Sequence, residues 1–185
     1  MAVLAVAGPT VLFACGATSV PTVASVQRSP ISRSALGHWT AIKRAELQNQ
    51  AKPVIPAVAV ERTALAFLIT AEWLEKEAAA QGISVSPSEV NATYQQLLSG
   101  PTGQTFAESL KRRGLSSEDE LRVLRLGALA QKLRAKIAAG YHGASAAQIA
   151  GHVSAFIAAY QQRWRQRTTC RPSYIIAECG NGRSP

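Results

Sequence analysis

The residues able to do chemistry in this chain are few and scattered. Its three histidines, His38, His142 and His152, stand with no acid, serine or cysteine at a spacing that makes a catalytic triad or a metal set. There is no Gly-x-Ser-x-Gly elbow to present a nucleophile, no His-Glu-x-x-His helix to hold zinc, and no glycine loop to cradle phosphate. Glu72 and Glu77 share a helical stretch with Lys76, where pairing with that lysine or with solvent is the ordinary use of such acids. Cys170 and Cys179, with no histidine nearby, make a poor metal set. The residue types call for no cofactor and no metal, and no catalytic residue is assigned. What the chain does supply is aromatic side chains at helical spacing. Trp39, Trp73, Tyr94, Phe106, Phe156 and Tyr160 are candidates for a surface that holds extended polypeptide. A site accepting varied sequences needs exposed apolar area with a polar rim. The same spacing suits a closed core equally well.

Those residues must be positioned by helices. The chain has 185 residues, 47% of them hydrophobic and only 6% aromatic, with alanine, leucine, glutamine and arginine plentiful. That composition favours helices over a β-sandwich. The formal net charge of +9 admits nucleic acid or an anionic membrane or wall surface as partner. No nucleic-acid motif is recognised, and the N-terminus points outward from the cytoplasm.

No charged residue occurs before Arg28. Ala2–Ala14 is apolar and has the length of a signal-peptide core, too short to span a bilayer. It runs into Leu12-Phe13-Ala14-Cys15-Gly16, which resembles a bacterial lipobox, with Cys15 as the acylated residue. An ordinary cleaved signal and a buried helix are the other readings. Phe13 is unusual for the pattern and a basic leading region is missing, so the natural start lies open. With Cys15 assigned to lipid, Cys170 and Cys179 are the remaining pair, and an oxidising compartment makes a disulfide between them the expectation. Closing that loop contributes roughly 2.5–3 kcal/mol on chain-entropy grounds.

Helix signals recur along the rest of the chain. Ser32 is a plausible N-cap for a first helix carrying Leu36, Trp39 and Ile42 toward Gln50, ended by Pro53 and Pro56. A second runs from Ala57 to about Gln81, apolar nearly all round in its first half, and Gly82 terminates it. Ser86-Pro87-Ser88-Glu89 is a capping box for a third, stopped at Gly100-Pro101. Thr105-x-x-Glu108 opens a fourth, ending at Gly114. Ser117-Glu118-Asp119-Glu120 opens a fifth, to Ala139, with Leu121, Leu124, Ala128 and Leu129 inward. Ser145-x-x-Gln148 opens the sixth, through Ile149, Val153, Phe156, Ile157, Tyr160 and Trp164. No alternating run is left for a sheet, beyond a short extended piece at Ser173–Ala177. The fold class expected is all-α, an irregular multi-helix domain. Lys111–Lys136 holds eight bases against Glu118, Asp119 and Glu120, and Arg163, Arg165, Arg167 and Arg171 add a second group. They form either a solvated helix face or an attraction to anionic lipid, wall polymer or acidic segments.

Taken in order, several segments resemble the SurA/PrsA exported foldases. Val23–Val26, Pro30-Ile31-Ser32-Arg33 and Leu36-Gly37-His38-Trp39 look like their leading strand, turn and first helix. Leu68-Ile69, Glu72-Trp73-Leu74, Glu77-Ala78, Gly82-Ile83, Val85-Ser86 and Glu89-Val90 look like the second helix and the cap after it. Phe106, Leu110, Gly114-Leu115-Ser116 and Asp119 match the next helix pair. Trp164-Arg165, Thr168, Cys170, Tyr174 and Cys179 resemble the tail of actinobacterial members. The resemblance spans most of residues 22–179. It implies a SurA/trigger-factor peptide-binding-like domain whose C-terminal helix packs back on the N-terminal helices. Two departures stand out. Gln27-Arg28-Ser29 replaces a turn that usually contains glycine. No parvulin isomerase domain is evident, since only Gly140–Ala144 separate the fifth helix from the sixth.

The expected organisation is a signal peptide at 1–14, a lipid-anchored tether and lead-in segment at 15–29, a helical chaperone-like domain at 30–169 and a disulfide-pinned tail at 170–185. The resemblance implies an extracytoplasmic, ATP-independent chaperone, lipid-anchored at the cell membrane or else secreted, whose partners are unfolded or nascent exported polypeptides and not nucleic acid. The alternatives are a peptidyl-prolyl cis-trans isomerase using an unrecognised site, and a non-chaperone lipoprotein adaptor.

Overall fold

The computed structural model describes residues 21–48 and 55–182. The signal-peptide and Cys15 expectations fall outside these residues. Six helices form the body: α1 (Arg33–Gln48), α2 (Ala57–Ala80), α3 (Pro87–Ser99), α4 (Gly103–Arg113), α5 (Ser117–Ala139) and α6 (Ala146–Gln166). Three short strands, β1 (Thr22–Val26), β2 (Ser29–Ser32) and β3 (Thr168–Cys170), join the two ends of the chain.

The all-α expectation holds, with a small antiparallel sheet added in the order β2-β1-β3. The sheet corrects the reading that no residues remained for one. β1 had a local signal, because Val23 and Val26 turn into the core. β3 had none: it is three residues long, and its pairing with Ala24, Ser25 and Val26 joins residues far apart in sequence. Neither sheet edge is bare. The side-chain amide of Asn181 donates to the Cys170 carbonyl at 2.8 Å, and its oxygen accepts the Cys170 N–H at 2.9 Å. Pro30 brings no N–H to β2.

The β1–β2 turn places Gln27 at φ 55°, a left-handed conformation that costs a residue with a Cβ about 1 kcal/mol. Its backbone N–H donates to Arg167 O at 2.7 Å, which fixes the turn against the end of α6. This is the turn where the resembling family usually has glycine.

Helix α2 is the central element. It buries Val60, Ala64, Leu65, Leu68, Ile69, Ala71, Trp73 and Ala78 against α1, α5, α6 and β1. Its end is a Schellman turn: Gly82 has φ 67°, and the Ile83 N–H reaches Ala78 O at 2.8 Å. Beyond it, Lys136 donates to Gln81 O and Lys132 to Ser84 O, two cations at the negative end of the helix.

The caps mostly follow the sequence. Ser32 accepts the Ala35 N–H at 3.0 Å, and the boxes at Ser86–Glu89 and Ser145–Gln148 form as expected. Two registers differ. The fifth helix is capped by Ser116, whose side chain accepts from Asp119 N while Asp119 accepts from Ser116 N, so Ser117 is already helical. The fourth begins at Gly103, and Thr102 makes no side-chain cap. A tight turn, Gly103 N–H to Gly100 O at 2.9 Å, starts that helix before Thr105. Only glycine fits there, since a Cβ on Gly103 would stand 1.8 Å from Leu98 O. The buried stripe of α5 is Leu126, Leu129 and Leu133; Leu121, Leu124 and Ala128, expected inward, are half-buried. Helix α6 packs back as expected, through Tyr160 and Trp164, and leaves its first half largely exposed.

Candidate functional site

The six aromatic candidates lie mainly inside. Trp39 and Trp73 are each 4% exposed. The Trp73 indole N–H donates to Thr168 Oγ1 at 2.8 Å, and the Trp39 ring sits 4.4 Å from that of Phe67. Tyr94 and Tyr160 are buried, with half-buried Phe106 and Phe156 packed on them at ring separations of 6.0 and 5.9 Å. These residues fill the core, and Trp39 also forms part of a cleft wall.

Two clefts meet along the first turns of α5. One, of about 430 Å³, lies between α1 and α5 and is lined by Ala35, His38, Trp39, Ser116, Asp119 and Arg122, among others. The other, of about 260 Å³, lies between α2, α3 and α5, with Pro87, Val90 and Leu121 as its apolar wall and Glu75, Asn91, Arg122 and Arg125 around it. The caps of α3 and α5 place these residues, because Pro87–Asn91 and Asp119–Arg125 are the opening turns of those helices.

Most charges on the rim are already committed. Arg125 donates to Glu75 at 2.7 Å. The His38 Nε2–H donates to Asp119 Oδ1 at 2.7 Å. Burial would raise the Asp119 pKa, but the hydrogen bonds from Ser116 and His38 outweigh it and hold the carboxyl below its usual range. Arg122 differs. It lines both clefts, and its Nε–H is buried without a hydrogen-bond partner among the described residues. An orphaned guanidinium donor costs about 1–3 kcal/mol unless an acceptor arrives. The Val90–Leu121 wall leaves apolar surface beside it, open to a side chain.

The basic run does not act as one free surface. Arg112, Arg113, Arg125 and Lys132 pair with Glu108, Glu46, Glu75 and Glu89, and Lys136 holds a helix carbonyl. Of the second group, Arg163 pairs with Glu77 at 3.1 Å and Arg167 lies over the Trp164 ring. Glu72 meets Lys76 at 4.0 Å as expected.

Glu77 was read as a helix acid facing Lys76 or solvent, and the structure corrects this. It is 3% exposed, and its Oε2 accepts the Trp164 indole N–H at 2.9 Å. Oε1 accepts from Arg163 and from Gln81. The carboxylate thus ties α6 to α2. Glu77 precedes three alanines and lies four residues after Trp73, on the buried face of the helix, which is the one signal the sequence offers. Below it, the disulfide between Cys170 and Cys179 is formed, with both cysteines buried. It secures β3 to the tail.

The family described as the SurA-like N-terminal domain matches residues 1–134, a stretch that takes in every residue lining the two clefts and ends within α5, short of α6. No curated protein and no solved structure matches the chain. With the match covering well over half its length, and with the capped helices, joined clefts and returning helix in place, the chain belongs to the SurA-like N-terminal domain family, a family of the chaperone and foldase type.

Proposed function

We propose that this protein is an ATP-independent chaperone that holds unfolded segments of exported proteins near the membrane. The observation that carries the reading is the pair of clefts on either side of Arg122, one of them walled by Pro87, Val90 and Leu121. Family membership agrees with it. The disulfide favours an oxidising compartment. The lipobox-like segment at Cys15 supports lipid anchoring at the outer face of the membrane, with simple secretion as the alternative. The polypeptide is the partner in this reading, and nucleic acid is not.

The test is suppression of aggregation of several denatured clients at near-stoichiometric ratio. Asn91 is exposed on α3 at the edge of the apolar cleft, so Asn91→Trp fills the cleft from outside the core. The parent protein is expected to keep clients in solution, and Asn91→Trp and Arg122→Ala to lose most of that activity with unchanged melting. A parent with no effect on any client refutes the chaperone reading. A fully active Asn91→Trp refutes the location.

A further inference from the structure

Four large apolar side chains are exposed among the described residues: Ile55, Val58, Tyr141 and Ile175. Two of them share one face and a third adjoins it in sequence. Val58 and Ile175 line a cleft together with Tyr174 and Ile176, and Ile55 stands three residues before Val58, just ahead of α2. The run Ile55-Pro56-Ala57-Val58 is exposed throughout, as is Ala177 on the tail. Three exposed arginines surround the patch. Arg62 lines its clefts, Arg33 lies over the Tyr174 ring at 5.9 Å, and Arg171 opens the turn that carries Tyr174. Glu61 and Glu178 line the same clefts but are half-buried. The N-terminus of α2 also opens here, with no acid in its first turn and no side-chain cap, so its positive end is uncompensated.

The course of the chain suggests what this face meets. Its described part begins at Pro21, whose carbonyl accepts the Arg33 N–H at 2.8 Å, and so it starts beside the patch. Upstream lies the uncharged apolar stretch 2–14. The six residues from 15 to 20 reach at most about 20 Å. If the apolar stretch or a lipid on Cys15 enters a bilayer, this face stands within that distance of the headgroups.

We infer that the face formed by residues 55–58 and 174–177, ringed by Arg33, Arg62 and Arg171, docks on an anionic lipid surface. Its aliphatic side chains enter the interface while the arginines meet phosphate. The body is then held in one orientation rather than swinging on a tether. This inference rests on the membrane anchoring proposed above but not on client binding, because the clefts of α5 share no residue with the face.

The experiment uses the full chain with Cys15→Ser, which removes acylation, and vesicles of phosphatidylglycerol or of phosphatidylcholine at two salt concentrations. Co-sedimentation is compared for this parent, for Val58→Asp with Ile175→Asp, for Arg62→Gln with Arg171→Gln, and for Tyr141→Asp as a control on the remaining exposed apolar residue. An aspartate at position 58 falls in the first turn of α2, where it suits the helix, and circular dichroism confirms folding. The parent is expected to prefer phosphatidylglycerol. Each arginine removed should weaken binding about fivefold and flatten its salt dependence. The double aspartate variant should lose most binding, and Tyr141→Asp none. Equal binding by the parent and the double aspartate variant overturns the inference, as does no preference for the anionic vesicle. A parent dimer that becomes monomeric in the double aspartate variant, with vesicle binding unchanged, assigns the face to a second copy and overturns it too.

Discussion

Replacing Glu77 by alanine should release α6. The carboxylate is 3% exposed and accepts three donors, of which the Trp164 indole N–H is buried and has no water to turn to. Leaving that donor unsatisfied costs about 1–3 kcal/mol. The Arg163 side chain is half exposed, so its loss adds less than about 1 kcal/mol. Together these give a destabilisation of roughly 3 kcal/mol. With a urea slope of about 1–3 kcal/mol per molar, the midpoint should fall by roughly 1–3 M at unchanged slope. The assay is urea unfolding followed by far-ultraviolet circular dichroism. Trp164→Phe removes the donor, so it should rescue Glu77→Ala in part. The cycle of the two single variants and the double should show a coupling of at least about 1 kcal/mol. Glu77→Gln, which keeps the shape and one acceptor, should fall between parent and alanine. A Glu77→Ala midpoint equal to that of the parent, or a cycle with no coupling, would refute the claim that this carboxylate fastens the helix.

Reducing the Cys170–Cys179 disulfide should remove roughly 2.5–3 kcal/mol and lower the melting temperature by about 5–12 °C, read by calorimetry with and without reductant. Gly180→Ala should destabilise by about 1–3 kcal/mol in urea unfolding, because a Cβ there would stand 2.4 Å from Arg165 O. Hydrogen bonds from Lys132 and from the Ser86 backbone N–H hold Glu89 down at about 2. Its contribution to stability is therefore present above about 4.5, its ordinary value, and fades as pH falls toward 2. Lys132→Ala should move that titration upward in a carboxyl-carbon nuclear magnetic resonance experiment. Glu120 behaves in the opposite sense. Burial raises its pKa, and one of its oxygens has no hydrogen-bond partner among the described residues, so ionising it opposes folding. Glu120→Gln should stabilise the protein at neutral pH, with the gain vanishing below about 4.5 in a pH series of urea midpoints.

Much of the fold can be read from local chemistry. Ser86-Pro87-x-Glu89, Ser145-x-x-Gln148 and Gly82 mark helix ends because each satisfies backbone groups within a few residues. The register of α5 slipped by one because Ser116 and Ser117 are both competent caps, and only packing lets Ser117 accept from the Tyr94 hydroxyl instead. β3 left no trace, since three residues paired across the length of the chain have no periodicity to show. The binding candidates expose the main limit. Aromatic spacing identified the core through Trp73, Tyr94 and Tyr160, whereas the clefts are walled by Val90, Leu121 and Arg122. Whether an apolar residue faces a neighbour or a gap depends on how three helices diverge, and no single helix encodes that. Glu77 is the same problem in polar form: its partners Arg163 and Trp164 lie on a distant helix.

The covered edges of the small sheet have a consequence for the proposed handling of sticky chains. An open strand is a seed, and a captured segment can lie along it, then recruit another, until the carrier itself becomes the start of a fibre. Here the amide of Asn181 fills the place beside β3 where such a segment would join, and Pro30 withholds an N–H on the other side. On the proposed reading, cargo would be gripped by side chains in the clefts rather than knitted into the backbone, so what is held could also be let go.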